Sequence, residues 1–227
     1  MTKLSAKRAT AAAVLTGAIL CSTSAFASIV YDNSTTSLGR SYSPGNGIEF
    51  GDEIFLGGTD RTITEFRFET FTSSNASGNE TAQIIFRLNN GANLGTGRIA
   101  PGAEIGRSPV FSLGQKIKNA TETHIWSGIS ISLGAADNYT WSVVINGIDA
   151  GENVGLALYN PPTVGLSYDD FWRNDAGTGW NTYLIDGGAT IANFAARITA
   201  VPEPSTLVLG ALGGAALLGF LRIRRRS

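Results

Sequence analysis

Tyr139-Thr140-Trp141-Ser142-Val143-Val144-Ile145 is the stretch that decides the fold. Its larger apolar side chains, Tyr139, Trp141, Val143 and Ile145, occupy every second position, with smaller or polar residues at most of the positions between them. Successive side chains of a β-strand point to opposite faces, so this period of two predicts a strand with one face in a hydrophobic core.

Similar apolar runs recur on both sides of this stretch. The clearest are Ala82–Leu88, Ile125–Leu133 and Ala192–Ile198, and weaker strand candidates are Ser28–Asp32, Ile48–Leu56, Thr62–Phe71, Pro109–Leu113 and Val154–Tyr159. No stretch of this region has a sustained helical period, and turn pairs such as Asn90-Gly91 and Asn146-Gly147 separate the runs. We predict an all-β domain, a two-sheet sandwich of jelly-roll-like topology with roughly nine strands.

The N-terminus has the features of a secretory signal peptide. Basic residues at Lys3, Lys7 and Arg8 precede an apolar stretch over about residues 9–20. The small residues Ala25 and Ala27 then mark a cleavage site. We expect an N-terminal signal helix over residues 1–27, export by the Sec translocon, and cleavage by signal peptidase so that the mature chain begins at Ser28.

Cysteine usage and charge limit the function of the exported part. Cys21 is the only cysteine, and Leu20 stands where the lipobox of a lipoprotein requires a small residue. The mature domain is therefore expected to have no disulfide, although an exported protein would permit one. Of the 17 basic and 18 acidic residues of the chain, seven basic residues and Glu203 lie in the two ends; 10 basic and 17 acidic residues remain, a net charge of −7. This sign disfavours nucleic-acid binding.

The last 27 residues, 201–227, have three ordered parts. The first is Val201-Pro202-Glu203-Pro204-Ser205, in which the two prolines favour an extended, accessible peptide. An uncharged apolar run from Thr206 to Leu221 follows; as a helix it is roughly 25 Å long, near the lower limit for crossing a bilayer. We predict a single transmembrane helix over about residues 206–223. The basic residues that end the chain are Arg222, Arg224, Arg225 and Arg226. Under the positive-inside rule they place the C-terminus in the cytoplasm.

This tail resembles the PEP-CTERM sorting signal of Gram-negative bacteria. The resemblance implies that an exosortase, a membrane-embedded transpeptidase-like enzyme, recognises the tail and cleaves it near the motif. It also implies surface display or release, often in bacteria that make exopolysaccharide. An ordinary C-terminal anchor behind two prolines is the alternative. Residues 28–200 resemble, in general texture, the β-sandwich ectodomains that commonly precede such tails.

The segment from Asn160 to Trp180 departs from the strand pattern and is predicted to be a loop at one end of the sandwich, where binding residues often lie. Aromatic rings stack on the apolar faces of sugars, and carboxylates accept hydrogen bonds from hydroxyls. The residues that would form such a sugar-binding face are Tyr168, Asp169, Asp170, Trp172 and Trp180, together with Asp175. The alternative is that the aromatic rings fill the end of the core while the aspartates lie in solvated turns.

No catalytic or metal site is predicted. The only histidine is His124, and the chain has no Gly-x-Ser-x-Gly elbow, so neither a Ser-His-Asp triad nor a zinc site is expected. No pair of carboxylates stands out for glycoside hydrolysis. A structural Ca²⁺ is an alternative to plain turn capping, with oxygen ligands from the loop aspartates or from Asp32, Asp52 and Glu53.

These observations predict a non-enzymatic, exported protein without a cofactor. We expect it to pass through the inner membrane as a single-pass intermediate and to reach the cell surface or the medium, with a structural or adhesive role. The alternative is a carbohydrate-binding module or polysaccharide-active protein that uses the 160–180 segment to contact exopolysaccharide.

Overall fold

The computed structural model describes residues 26–95, 97–134, 138–175, 178–191, 193–203 and 213. The chain divides into two compact units: Ala27–Val201, and the two ends Met1–Phe26 and Pro202–Ser227. The predicted signal helix over residues 1–27 lies outside the described residues except for Phe26 and Ala27, which are not helical. The predicted transmembrane helix over about residues 206–223 lies outside them except for Gly213. No helix within the described ranges is long and apolar enough to cross a membrane.

The unit Ala27–Val201 is built of β-strands, with one short 3-10 turn at Ile185–Gly188. The strands are β1 (Ser28–Asn33), β2 (Ser37–Tyr42), β3 (Glu49–Phe55), β4 (Thr62–Thr72), β5 (Thr81–Leu88), β6 (Glu104–Arg107), β7 (Phe111–Ser112), β8 (Ala120–Ser132), β9 (Asn138–Asn146), β10 (Val154–Tyr159), β11 (Leu166–Ser167), β12 (Phe171–Asp175), β13 (Gly179–Tyr183), β14 (Asn193–Phe194) and β15 (Ala196–Val201).

These strands form two sheets whose strand pairs are antiparallel. The first sheet has the order β1-β15-β4-β10-β14, with β2 paired to β10 and β8 paired to β4. The second has the order β13-β12-β3-β9-β5-β6, with β11 paired to β3 and β7 paired to β5. The prediction of an all-β sandwich is confirmed at this level, while the jelly-roll-like connectivity stays a prediction.

Aromatic rings from both sheets fill the core between them. Phe66 of β4 lies with its ring centroid 5.1 Å from that of Phe86 in β5 and 5.1 Å from that of Trp141 in β9. Phe50 of β3 packs edge-on against Phe194 of β14, at 5.4 Å. Edge-to-face contacts of this kind are favourable beyond the burial of their area. Trp141, from the stretch that predicted the fold, is completely buried at the centre of this cluster.

Most of the predicted strands are present, and five strands were not anticipated. Those found are β1, β3, β4, β5, β7, β8, β9, β10, β14 and β15, although only two residues of Pro109–Leu113 are strand and the run Ala192–Ile198 is divided between β14 and β15. The prediction that residues 160–180 form a loop is wrong, because this segment contains β11, β12 and the first residues of β13. Phe171 and Trp172 are both buried although they are neighbours in a strand, so the alternation that identifies a strand is lost here.

The N- and C-termini of the sandwich leave it side by side. Ser28 at the start of β1 is opposite Ala200, and Val201 at the end of β15 is opposite Thr62 at the start of β4. We call this the N/C end. The register of the second sheet, with Phe55 opposite Asn138 and Leu88 opposite Tyr139, brings further connections to the same end. They are residues 56–61, 89–103 and 164–170.

Gly165 holds this end together by close backbone contact. Its φ is +75°, and a Cβ at this position would lie 2.4 Å from the carbonyl oxygen of Phe55 and 3.0 Å from the ring of Tyr31. Only glycine fits both requirements. The segment after β10 can therefore return between β1 and β3, where the amide of Asp32 donates to the carbonyl oxygen of Val164 at 3.0 Å.

Candidate functional site

The five residues proposed for sugar binding are divided between buried and exposed positions. Trp172 is the second residue of β12, opposite Gly51 of β3, and its side chain has no exposed surface. Its indole N–H donates to Glu53 Oε2 at 3.2 Å. The interpretation of Trp172 as an exposed stacking ring is therefore corrected: this indole is a buried structural element. Tyr168 and Asp169 are exposed, while Asp170 and Trp180 are half-buried.

Arg98 is the residue that joins three of these side chains, and sequence analysis missed it. It lies in the 89–103 connection and approaches Glu53 Oε2 with Nη2 at 2.7 Å and Asp170 Oδ1 with Nη1 at 2.5 Å. Its guanidinium carbon lies 3.6 Å from the ring centroid of Tyr168 and 5.2 Å from that of Trp172. Charge-assisted hydrogen bonds and cation–π contacts thus fasten the 89–103 connection onto β3 and β12.

Glu53 is the buried centre of this network. Only 2% of its surface is exposed, and its carboxylate accepts hydrogen bonds from Arg98, Trp172 and the side-chain amide of Asn138. A buried carboxylate is tolerated where it is paired and hydrogen-bonded in this way. Because the carboxylate oxygens of Glu53 already accept hydrogen bonds within the fold, the arrangement favours a structural role for Glu53 over a role in binding a ligand.

A second ion pair supports Trp180 on the same outer face of the second sheet. Arg87 contacts both oxygens of Glu49, at 2.8 and 2.9 Å, and its guanidinium carbon lies 5.8 Å from the ring centroid of Trp180. Ser142 also donates to Glu49, at 2.6 Å. Trp180 opposes Asn174 in the β12–β13 hairpin. A groove of about 440 Å³ borders this hairpin, lined by Gly47, Ile48, Glu49, Val144, Asn174, Asp175 and Gly179.

The carboxylates considered for calcium are placed in different environments. Asp52 points into the core, where burial raises its pKa well above the usual range and the backbone N–H of Phe194 donates to Oδ2. Asp32 instead accepts from the amide and hydroxyl of Ser34, at 3.0 and 2.6 Å. Within the described ranges, no group of three or more His, Asp and Glu side chains is placed to hold a metal ion.

Asp175 lies in the β12–β13 hairpin and is engaged in an ion pair with Arg173, Nε to Oδ1 at 2.7 Å. The hydrogen bond from Arg173 and a further one from the Tyr183 hydroxyl hold the pKa of Asp175 below its usual range. Through these contacts with Arg173 of β12 and Tyr183 of β13, Asp175 stabilises the hairpin.

The first residues of the sorting motif are placed at the end of the last strand. Val201 is the final residue of β15, and Pro202 and Glu203 follow it outside any strand, with exposed side chains. At the other terminus, Ala27 is exposed and Ser28 begins β1. The hydroxyl of Ser28 donates to Asp60 Oδ2 at 2.5 Å. The remaining motif and signal residues lie outside the described ranges, namely Ala25, Pro204, Ser205, Arg222, Arg224, Arg225 and Arg226.

Comparison with known proteins identifies the tail. The family model described as the PEP-CTERM protein-sorting motif matches residues 200–226. No curated protein and no solved structure matched the chain. The match begins at Ala200, within β15, and ends at Arg226. It supports exosortase-dependent sorting of an exported surface protein.

Proposed function

We propose that this protein is a non-catalytic surface or matrix component, whose β-sandwich is delivered by processing of its tail. The observation that carries the proposal is the position of the matched motif, which begins in the last two residues of β15 and continues directly into an exposed peptide. A processing enzyme acting near Pro202–Pro204 would therefore meet an accessible substrate and would leave the sandwich complete.

In this proposal the tail is a temporary membrane anchor. The apolar run from Thr206 to Leu221 spans the inner membrane once, and the arginines after it keep the C-terminus in the cytoplasm. The residues that the enzyme recognises are Pro202, Glu203 and Pro204. Signal peptidase acts at the other end, after Ala27, so that the released protein runs from Ser28 to the motif.

A structural or adhesive role is supported by how the charged groups of the sandwich are used. Glu49, Glu53 and Asp170 are paired with arginines, and Asp52 lies inside the core. A catalytic acid–base pair needs groups that face a substrate, with pKa values matched to proton transfer. The excess of acidic residues keeps the domain soluble and suits it to a hydrated extracellular matrix.

Intact mass spectrometry on protein from its native host, fractionated into inner membrane, outer surface and medium, tests this proposal. We expect a surface or secreted species that begins at Ser28 and ends near Pro202–Pro204. Glu203→Ala should shift the protein to an uncut, inner-membrane form, whereas Glu104→Ala, at an exposed acid outside the motif, should not. A wild-type protein that keeps Arg222–Ser227 and stays in the inner membrane would refute processing and leave a plain anchor.

Carbohydrate binding is a second candidate function. Of the aromatic residues that the sequence suggested for it, this proposal uses only Trp180. Trp180 is half-buried and opposes Asn174, one of the residues that line the groove of about 440 Å³ on the outer face of the second sheet. A pyranose stacked on this ring would have Asn174 and Asp175 within the same groove. Binding on a glycan array should be lost in Trp180→Ala and kept in Tyr168→Ala; an array without any binding would rule this function out.

A further inference from the structure

Five exposed apolar side chains lie at the N/C end of the sandwich. They are Ile29, Leu94, Ile99, Leu166 and Tyr168. Leu166 is the most exposed of them, at 68%, and Ile99 is 43% exposed. They come from three separate parts of the chain: the start of β1, the 89–103 connection and the segment around β11.

Contacts within the fold make these side chains neighbours. The amide of Leu94 donates to the carbonyl oxygen of Arg98, and Arg98 lies over the ring of Tyr168. The ring of Tyr168 packs edge-on against Phe55 at 5.2 Å, and Leu166 is opposite Phe55 in the β3–β11 pair. Leu166 and Tyr168 therefore lie beside Phe55, and Arg98 brings the 89–103 connection, with Leu94 and Ile99, next to them.

The backbone next to Ile29 lies close to the end of β3 and to the segment before β11. The amide of Gly57, two residues after β3, donates to the carbonyl oxygen of Val30 at 2.7 Å. A Cβ on Gly57 would lie 3.3 Å from the side chain of Val164, which precedes β11. Contiguous exposed apolar surface of this kind marks an interaction site.

The length of chain between the sandwich and the apolar tail identifies the partner. Val201 is the last strand residue and Thr206 begins the apolar run, so only four residues separate them. A fully extended chain spans at most about 3.6 Å per residue, which limits this gap to roughly 18 Å. While the tail is anchored, the N/C end is therefore held close to the membrane surface.

We propose that the N/C end rests on the lipid surface through Leu94, Ile99 and Leu166 until the tail is cut. This inference rests on the proposed function of the tail as a membrane anchor. Isoleucine and leucine side chains enter the boundary between headgroups and acyl chains, and tyrosine is favoured at this depth. The arginine of this surface, Arg98, is already paired with Glu53 and Asp170. The contact therefore suits zwitterionic lipid and does not require an anionic headgroup.

The same contact would hold the cleavage site near the membrane, where an enzyme embedded in the bilayer acts. Once the tail is cut, three aliphatic side chains alone give a weak and reversible attachment, because stable anchoring requires more buried apolar area. The sandwich then leaves the membrane. The surface thus positions the substrate before the cut and does not retain the product after it.

A lipid-quenching experiment on the chain from Ser28 to Ser227, the anchored form that exists before the tail is cut, tests this. This chain contains no cysteine, and single cysteines are placed at Ile99, at Leu166, or at Ile117 as the matched control. Ile117 is 77% exposed and lies near the opposite end of the sandwich, between β7 and β8. Each variant carries an environment-sensitive fluorophore and is reconstituted into phosphatidylcholine vesicles that contain a nitroxide-labelled lipid.

We expect quenching severalfold stronger at positions 99 and 166 than at 117. Equal quenching at all three positions would overturn the inference. A fluorophore shift at 99 and 166 that is not quenched by lipid and grows with protein concentration would also overturn it, in favour of self-association. Co-sedimentation with the vesicles is scored separately: a chain that does not sediment refutes the membrane anchor itself, whereas a chain that sediments without position-dependent quenching refutes only the docking of the N/C end.

Discussion

The guanidinium carbon of Arg98 lies 3.6 Å from the ring centroid of Tyr168, and the two residues are 70 positions apart in the chain. The same guanidinium is bonded to Glu53 and Asp170. One side chain thus fixes a long connection, a buried carboxylate and an exposed ring relative to one another. The energy of this arrangement depends on burial, because ion pairs in solvent contribute little.

Arg98→Met is therefore expected to destabilise the protein strongly. The substitution keeps an unbranched apolar side chain but leaves the buried carboxylate of Glu53 without its cation, which costs about 3–5 kcal/mol. Urea denaturation measures the loss. Arg67→Met is the control, since Arg67 pairs with Glu65 on the surface, where about 0–1 kcal/mol is expected. Equal losses in the two variants would show that burial of the pair does not matter.

Asp52→Asn is expected to stabilise the protein at neutral pH. Burial raises the pKa of Asp52 in the folded state, so between its unfolded value of 3.8 and its folded value the folded protein binds more protons than the unfolded chain. Stability is then fully present below about pH 3.8 and falls as the pH rises, with a slope of at most about 1.4 kcal/mol per pH unit. Asparagine removes this loss, and its amide oxygen can still accept from the N–H of Phe194.

Urea denaturation at a series of pH values measures this effect of Asp52. The variant and the wild type should have the same stability near pH 3.8 and separate as the pH rises, with the variant more stable. A constant difference across the whole range would mean that the effect comes from packing and not from the charge of Asp52.

The sequence predicted the longer strands that are rich in apolar residues, and it missed short or mainly polar strands such as β2, β6 and β11, together with β12. Val143 and Ile145 alternate with less apolar neighbours because β9 lies with one face on the core, and the strand is found from that pattern alone. Phe171 and Trp172 of β12 are both buried, one in the core and one under the 89–103 connection. A pattern of neighbouring residues cannot show that Trp172 is covered by Arg98, which lies more than 70 positions earlier in the chain.

The same limit explains the errors at the candidate site. Trp172 lies between Asp170 and Asn174 in the sequence, and this polar setting is typical of an exposed aromatic ring. Its burial depends on Arg98, a single arginine in a connection rich in glycine and asparagine, whose partners are decided by the fold. The sorting motif was predictable because an enzyme reads it as a linear peptide, so its residues are neighbours in the sequence itself.

His124 is expected to remain neutral throughout the physiological range. Its ring stacks on Phe68 with centroids 5.0 Å apart, and Nε2 lies 3.0 Å from Thr70 Oγ1. Burial, and then the charge of Lys116, lower its pKa from 6.5 to about 4, although Glu122 opposes the shift. The folded protein binds fewer protons than the unfolded chain between these values, so this group makes stability fall as the pH drops from about 6.5 to 4.

Nuclear magnetic resonance measures the pKa of His124 without ambiguity, because the chain has one histidine. The Cε1–H resonance should titrate with a midpoint near 4 in the folded protein. A midpoint near 6.5 would mean that the ring is solvated and that its contacts with Phe68 and Thr70 do not persist in solution.

Cleavage within the sorting motif is expected to leave the sandwich intact. A chain that runs from Ser28 to Glu203 keeps all of β15, including Ile198 and Ala200, which are completely buried opposite Phe66 and Ile63 of β4. A chain that ends at Arg197 lacks both. Loss of the Ile198 side chain alone costs about 2–5 kcal/mol, and the hydrogen bonds to β1 and β4 are lost with it.

Thermal unfolding of the two shortened chains, beside the uncut protein, measures this difference. The chain ending at Glu203 should unfold at the temperature of the sandwich in the uncut protein, and the chain ending at Arg197 well below it. If removal of the residues after Glu203 alone lowered the unfolding temperature, the tail would contribute to the stability of the fold. Processing in the motif would then weaken the product, contrary to the position of Val201 as the last strand residue.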